Sequence, residues 1–139
     1  MGSLCVFICL FRIQIALSTE EKIIDLSPPP LTVVSAANGR YALKELAVLL
    51  DVRERAKRES LAVRLIAYNL GGMGQCDYGP SHIWKKFGIE IRDFDFSKYP
   101  KHVSDLHCYA WKPPIIAQVT QEVGPNSVVV WIDSGVNFF

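Results

Sequence analysis

The chain has 139 residues, half of them hydrophobic, which suits one domain with a buried core and excludes a chain too polar to fold. Lys and Arg number 15 against 14 Asp and Glu, for a formal net charge of +1. No basic field exists to attract nucleic acid or an acidic membrane surface, so neither is an expected partner.

Residues 4–17 are almost wholly apolar, interrupted by Arg12 and Gln14, and Ser18-Thr19-Glu20-Glu21 forms a sharp polar boundary. This predicts a signal-peptide core over residues 1–18, with Ala16 and Ser18 as the small residues for cleavage. A short membrane anchor and a buried N-terminal helix or strand are the alternatives; spanning a bilayer takes about 20 apolar residues, which favours cleavage over anchoring. The expected location is the secretory pathway, in the Golgi lumen or secreted. Cys5 and Cys9 fall in this segment, leaving Cys76 and Cys108 to pair in an oxidising compartment or to act as small core residues. A Pro-rich linker follows over residues 19–30, closing on Pro28-Pro29-Pro30, and the folded domain is predicted over 31–139.

Leu31 to Ala36 is a short β-branched run that reads as the first strand, and Ala37-Asn38-Gly39 supplies a turn and a helix cap. From Tyr41 to Lys57, Leu43, Leu46, Ala47 and Leu50 recur at helical spacing, with Lys44, Glu45, Arg53 and Glu54 assigned to the solvent side. Leu61 to Tyr68 reads as the second strand, ended by Asn69-Leu70-Gly71-Gly72-Met73-Gly74. That glycine run has neither the spacing of a dinucleotide fingerprint nor the Lys-Ser/Thr of a P-loop, so a turn outweighs a nucleotide loop. A short helix over Pro80 to Phe87 leads to a third strand over Ile89 to Phe96, whose alternation slips at Arg92-Asp93 as at a bulge. A helix from Ser104 or Asp105 through Tyr109 is predicted to break at Pro113-Pro114 and resume over Ile115 to Val123.

Val128-Val129-Val130-Trp131-Ile132-Asp133 completes the set, three β-branched residues followed by Trp and Ile, as expected of a parallel strand buried on both faces. Asp133 stands just past its carboxyl end, where open α/β sheets bind their ligands. Alternating strands and helices require right-handed crossovers and a parallel sheet. The expected fold is α/β, a three-layer half-Rossmann-like sheet of order 3-2-1-4, with Asn38 and Asp133 facing one crevice. Four strands make one nucleotide-binding half of a doubly wound fold, which leaves a sheet edge and a helix face uncovered. His82, His102 and His107 show no ligand spacing and read as surface or cap residues, and Tyr99 and Tyr109 read as packing residues.

Three motifs, Phe94-Asp95-Phe96-Ser97-Lys98-Tyr99-Pro100-Lys101-His102-Val103, Tyr109-Ala110-Trp111-Lys112-Pro113 and Trp131-Ile132-Asp133-Ser134-Gly135-Val136, resemble a group of animal, largely worm, proteins that looks related to glycosyltransferases of the A-type fold. The resemblance implies a donor-binding half that takes a nucleotide sugar, UDP-linked, with an unknown acceptor, truncated and of little or no activity alone. It implies Ala36, Ala37 and Asn38 as the loop for base and ribose, and Asp133 as the first carboxylate of an Asp-x-Asp that holds Mn²⁺ or Mg²⁺ on the diphosphate. Lys112 falls where such enzymes carry a basic residue toward the sugar nucleotide; a plain exposed Lys beside a core Trp111 is the alternative. Gly135 stands where the second carboxylate belongs, leaving one acidic ligand for the metal. The competing reading is a non-catalytic secreted binding module on the same fold. A dinucleotide-dependent oxidoreductase is disfavoured, because no glycine fingerprint follows the first strand.

Overall fold

The computed structural model describes residues 31–75 and 81–136; the signal or anchor segment, the linker and Cys76 lie outside them. Strands β1 (Leu31–Ala37), β2 (Val63–Asn69), β3 (Ile89–Asp93) and β4 (Val128–Trp131) form one sheet of order β3-β2-β1-β4. Every pairing is parallel, with Leu31 opposite both Val63 and Val128, and Leu65 opposite Ile89. Helices α1 (Ala42–Arg58) and α2 (Ser81–Lys86) cover one face and α3 (Lys112–Val123) the other. The predicted three-layer α/β arrangement and strand order are therefore those of the structure. No helix among the described residues is long and apolar enough to cross a membrane.

The chemistry of β1 explains its central place. It pairs on both sides, and its residues alternate between two cores. Val33 and Ala37 join Leu46, Leu49 and Trp84 on the α1–α2 side, while Val34 and Ala36 join Ile66, Trp111, Ile115 and Val119 on the α3 side. Ile66, Trp84 and Ile115 have no exposed surface, and burying a side chain of this kind stabilises by about 1.5–3 kcal/mol.

Helix α1 is rotated from the face predicted: Leu46 is buried and Leu50 packs on the core as expected, but Leu43 and Ala47 are not part of it. Ala42, Glu45, Leu46, Leu49 and Ala56 are inside, whereas Leu43 is 52% exposed and Ala47 faces solvent. Two stripes one residue apart both fit helical spacing. The turn of residues 39–41 docks α1 with Ala42 inward, and that rotation carries Glu45 into the core. Its two carboxylate oxygens and the Ser35 hydroxyl are buried without a hydrogen-bond partner, a costly arrangement for an ionised group.

Strand β4 also departs from expectation. It is not buried on both faces: it is the edge strand, Val128 and Val130 are about two-fifths exposed, and only Val129 and Trp131 lean on the α3-side core. The β-branched run reflects strand propensity here, since Val128 and Val130 stay open to solvent. Strand β3 ends at Asp93, earlier than predicted, because Asp95 accepts from the Ser97 amide and starts a 3₁₀ turn. Phe94 then turns inward and stacks on Tyr99 at 5.1 Å.

Pro113 and Pro114 do not break a helix; they start one. In the first turn the missing amides would lack intrahelical partners anyway, so α3 runs unbroken from Lys112 to Val123. The preceding segment is a 3₁₀ turn capped by Asp105, with Tyr109 left-handed at φ 53°. Cys108 in that turn is an exposed thiol donating to Asp105, not a core residue, and the nearby Asp105 carboxylate raises its pKa.

A four-membered charge ring ties the C-terminal end of α3 to the sheet. Arg64 reaches Glu90 at 2.7 Å and Glu122 at 2.8 Å, while Arg92 reaches Glu122 at 2.7 Å and donates to the Tyr68 hydroxyl at 3.2 Å. The Arg92 hydrogen bonds hold the Glu122 carboxyl down at about 2, against the smaller opposing effect of burial. Exposed pairs of this kind contribute little each, about 0–1 kcal/mol, but here they close into a network.

Candidate functional site

In a sheet of order 3-2-1-4 the chain reverses direction of travel between β1 and β4, and a crevice opens above the carboxyl ends of those two strands. Local chemistry sets both walls. Asn38, extended at the end of β1, accepts from the Arg40 amide at 3.2 Å and turns the chain into the 39–41 turn. Beside it the Ala37 carbonyl accepts from Leu70 and the Gly71 carbonyl from Gly39, each at 2.9 Å, so the loops after β1 and β2 are stitched together. Gly71 and Gly72 take φ of 115° and 74°, and Asn69 holds their turn by accepting from the Gly71 amide while donating to Asp93 at 2.7 Å. The glycine run is thus a turn beside the site; it does not line it.

On the other wall, Ile132 donates to the Val34 carbonyl at 2.9 Å, extending the β1–β4 pairing by one step and fixing the start of the turn at Asp133. Asp133 accepts from Val136 through its carbonyl, and its carboxylate Oδ1 accepts from the Lys112 ammonium at 2.5 Å and the Trp131 indole at 2.9 Å. Burial pushes the Asp133 carboxyl up, but these two hydrogen bonds outweigh it and hold the group below its ordinary range. Lys112 is the first residue of α3. Its ammonium lies 4.7 Å from the ring centre of Tyr109 and 5.6 Å from those of Trp111 and Trp131.

Between the walls is a crevice of ≈ 650 Å³. All five residues singled out from the sequence border it: Ala36, Ala37 and Asn38 on the β1 side, Lys112 at the head of α3, and Asp133 past β4. Among the other lining residues are polar ones to which the sequence reading gave no site role. Arg40 and Lys44 add cations from the turn and the first turn of α1, and His107 and Tyr109 come from the segment before α3. Tyr109 is 58% exposed at the rim, so it is not the packing residue expected. The recoverable signal for Arg40 and Lys44 was their place just after the strand-end loop, where helix starts meet ligands. With three cations against one paired carboxylate, the crevice suits an anion.

The donor set does not suit a divalent cation. Hard cations are held by several oxygen ligands, usually carboxylates, whereas this wall offers one carboxylate already engaged by an ammonium and an indole, and neighbouring Gly135 has no side chain to add a ligand. No group of three or more His, Cys, Asp or Glu side chains among the described residues could hold a metal ion.

Fold and site together define a parallel α/β protein with an anion-favouring crevice at its topological switch point. The chain belongs to the family described as protein of unknown function (DUF1647), which matches residues 13–117. That match includes β1 to β3 and the start of α3; β4 and Asp133 follow it. No curated protein and no solved structure matches the chain.

Proposed function

We propose that the crevice binds the diphosphate of a nucleotide sugar, UDP-linked, making the chain a glycosyltransferase-like donor-binding domain of the secretory pathway. The base and ribose would lie against Ala36, Ala37 and Asn38, and the diphosphate toward Lys112, Arg40 and Lys44. The observation that carries this reading is the convergence of those three cations on a crevice at the switch point of a parallel sheet. Transfer to an acceptor hydroxyl would further require acceptor and base held in line with the sugar, and no crevice residue is assigned either task. A second reading, a binding module without chemistry, is favoured by Gly135 and by the pairing of Asp133 with Lys112.

Calorimetric titration with uridine, UDP and a UDP-sugar tests the proposal. UDP is expected to bind at least about tenfold tighter than uridine, an advantage that shrinks as salt rises because it is carried by charge. Lys44→Ala is expected to weaken UDP by about threefold and uridine hardly at all, the scale of an exposed cation's contribution. Equal affinity for uridine and UDP, or no binding by either, would remove the diphosphate from the site. Release of free UDP from the UDP-sugar separates the two readings: the binding module leaves the donor intact.

A further inference from the structure

We propose that the Lys112 ammonium takes the place of a divalent cation in this crevice, so that a diphosphate is bound without metal. The inference rests on the diphosphate reading above and goes beyond it by naming the counter-charge.

Four observations converge. Asp133 is the single carboxylate lining the crevice, and no group of three or more His, Cys, Asp or Glu among the described residues could hold a metal ion. The Asp133 Oδ1 atom is occupied by the Lys112 ammonium at 2.5 Å and by the Trp131 indole. Three aromatic rings, of Tyr109, Trp111 and Trp131, surround that ammonium within 4.7–5.6 Å, which fixes a side chain that would otherwise sample many rotamers. Finally, α3 begins with Lys112-Pro113-Pro114, so two first-turn amides that helix N-termini usually offer to phosphate are absent. The positive charge at this helix start therefore comes from a side chain. A cation at the first helical position is unfavourable against the helix dipole, and the ion pair with Asp133 offsets that cost. One of the three ammonium N–H groups is used by Asp133, and the others can donate to phosphate oxygens.

Two titrations on the full chain decide the matter. In the first, Mn²⁺ alone is followed by electron paramagnetic resonance on wild type and Asp133→Asn; no Asp133-dependent binding is expected up to about 1 mM. In the second, UDP is titrated by calorimetry in EDTA and again with Mn²⁺, for wild type, Lys112→Gln and Lys112→Arg. Wild-type affinity is expected to agree within about twofold in the two conditions, Lys112→Gln to lose at least about tenfold, and Lys112→Arg to keep most of the binding, showing that charge rather than folding is lost. Mn²⁺ binding that disappears in Asp133→Asn, or a tenfold tightening of wild-type UDP binding by Mn²⁺, overturns the metal substitution while leaving the diphosphate reading standing. Absence of UDP binding in both conditions overturns both.

Discussion

Replacing Glu45 by Gln stabilises the protein at pH 8 and removes a decline in stability that the wild type shows as pH rises from about 5. Glu45 lies inside the α1–sheet interface with no exposed surface and no hydrogen-bond partner for either oxygen. Burial raises its pKa from 4.5 to about 8, and the neighbouring Ser35 hydroxyl, short of a full hydrogen bond, lowers it only in part. Above pH 4.5 the unfolded chain releases this proton while the folded chain retains it until about pH 8, so the folded state binds more protons across that window. Stability must then fall with pH at about 1.4 kcal/mol per unit, for a total of about 5 kcal/mol. Below pH 4.5 the opposite group takes over. Glu90, Glu122 and Asp133 are held below their ordinary range, and the stability they contribute is lost as acid protonates them. A maximum near pH 5 follows for wild type. The Gln variant, with no charge to bury, keeps its pH 5 stability at pH 8. Urea unfolding at pH 5, 6.5 and 8 on both proteins measures this, and wild-type stability that rises over the same range would show that Glu45 is not buried as described.

The Gly39→Ala substitution is expected to destabilise the protein by about 1–3 kcal/mol and to weaken any ligand of the crevice along with it. A Cβ at Gly39 would collide with the backbone carbonyl of Gly72, and a backbone atom cannot swing aside as a side-chain end can. The two loops it would push apart are those joined by the Gly39–Gly71 and Leu70–Ala37 hydrogen bonds, so Asn38 and Arg40 would move relative to Asp133. Thermal unfolding and UDP titration on the same sample check the two effects. Gly71 and Gly72 differ in kind: a Cβ would meet open space at Gly71 and only ordinary contact with Gly39 at Gly72, so they need glycine for their positive φ, not for clearance. Full stability and affinity in Gly39→Ala would mean that the β1 and β2 loops are not locked together.

The topology was legible because β-branched runs separated by helical spacing leave few choices once crossovers are right-handed and parallel. The same rule placed Asn38 and Asp133 together, since parallel strands bring all their carboxyl ends to one side of the sheet. What could not be read was rotation and exposure. Leu43-Leu46-Ala47-Leu50 and Ala42-Leu46-Leu49-Ala56 both keep helical spacing, and the choice between them is made by the 39–41 turn docking on the β2 loop, a tertiary event. Glu45, assigned with Lys44 to the solvent side, goes inside with that choice, which is why the buried carboxyl was missed, while Lys44 stays on the outer side and borders the crevice. Val128-Val129-Val130 looks like a doubly covered strand because propensity and burial favour the same residues; only the strand order shows it to be an edge. Pro113-Pro114 carried a true signal, helix interruption, that position in the first turn converts into helix initiation.

Strand β4 has four residues and, among the described residues, hydrogen-bonds to β1 alone, whereas β1 and β2 are each paired on both sides. Amide exchange should therefore grade across the sheet, slowest at Val33 and Ile66 and fastest at Val128 to Trp131, because β4 is the shorter of the two edge strands, with four paired residues against five in β3, and opening it forfeits the fewest contacts. One wall of the crevice is carried on the part of the molecule that unzips first. The site can then come apart while the rest of the fold stays closed, and an occupant bridging Lys112 and Asn38 would act as a clasp across that seam.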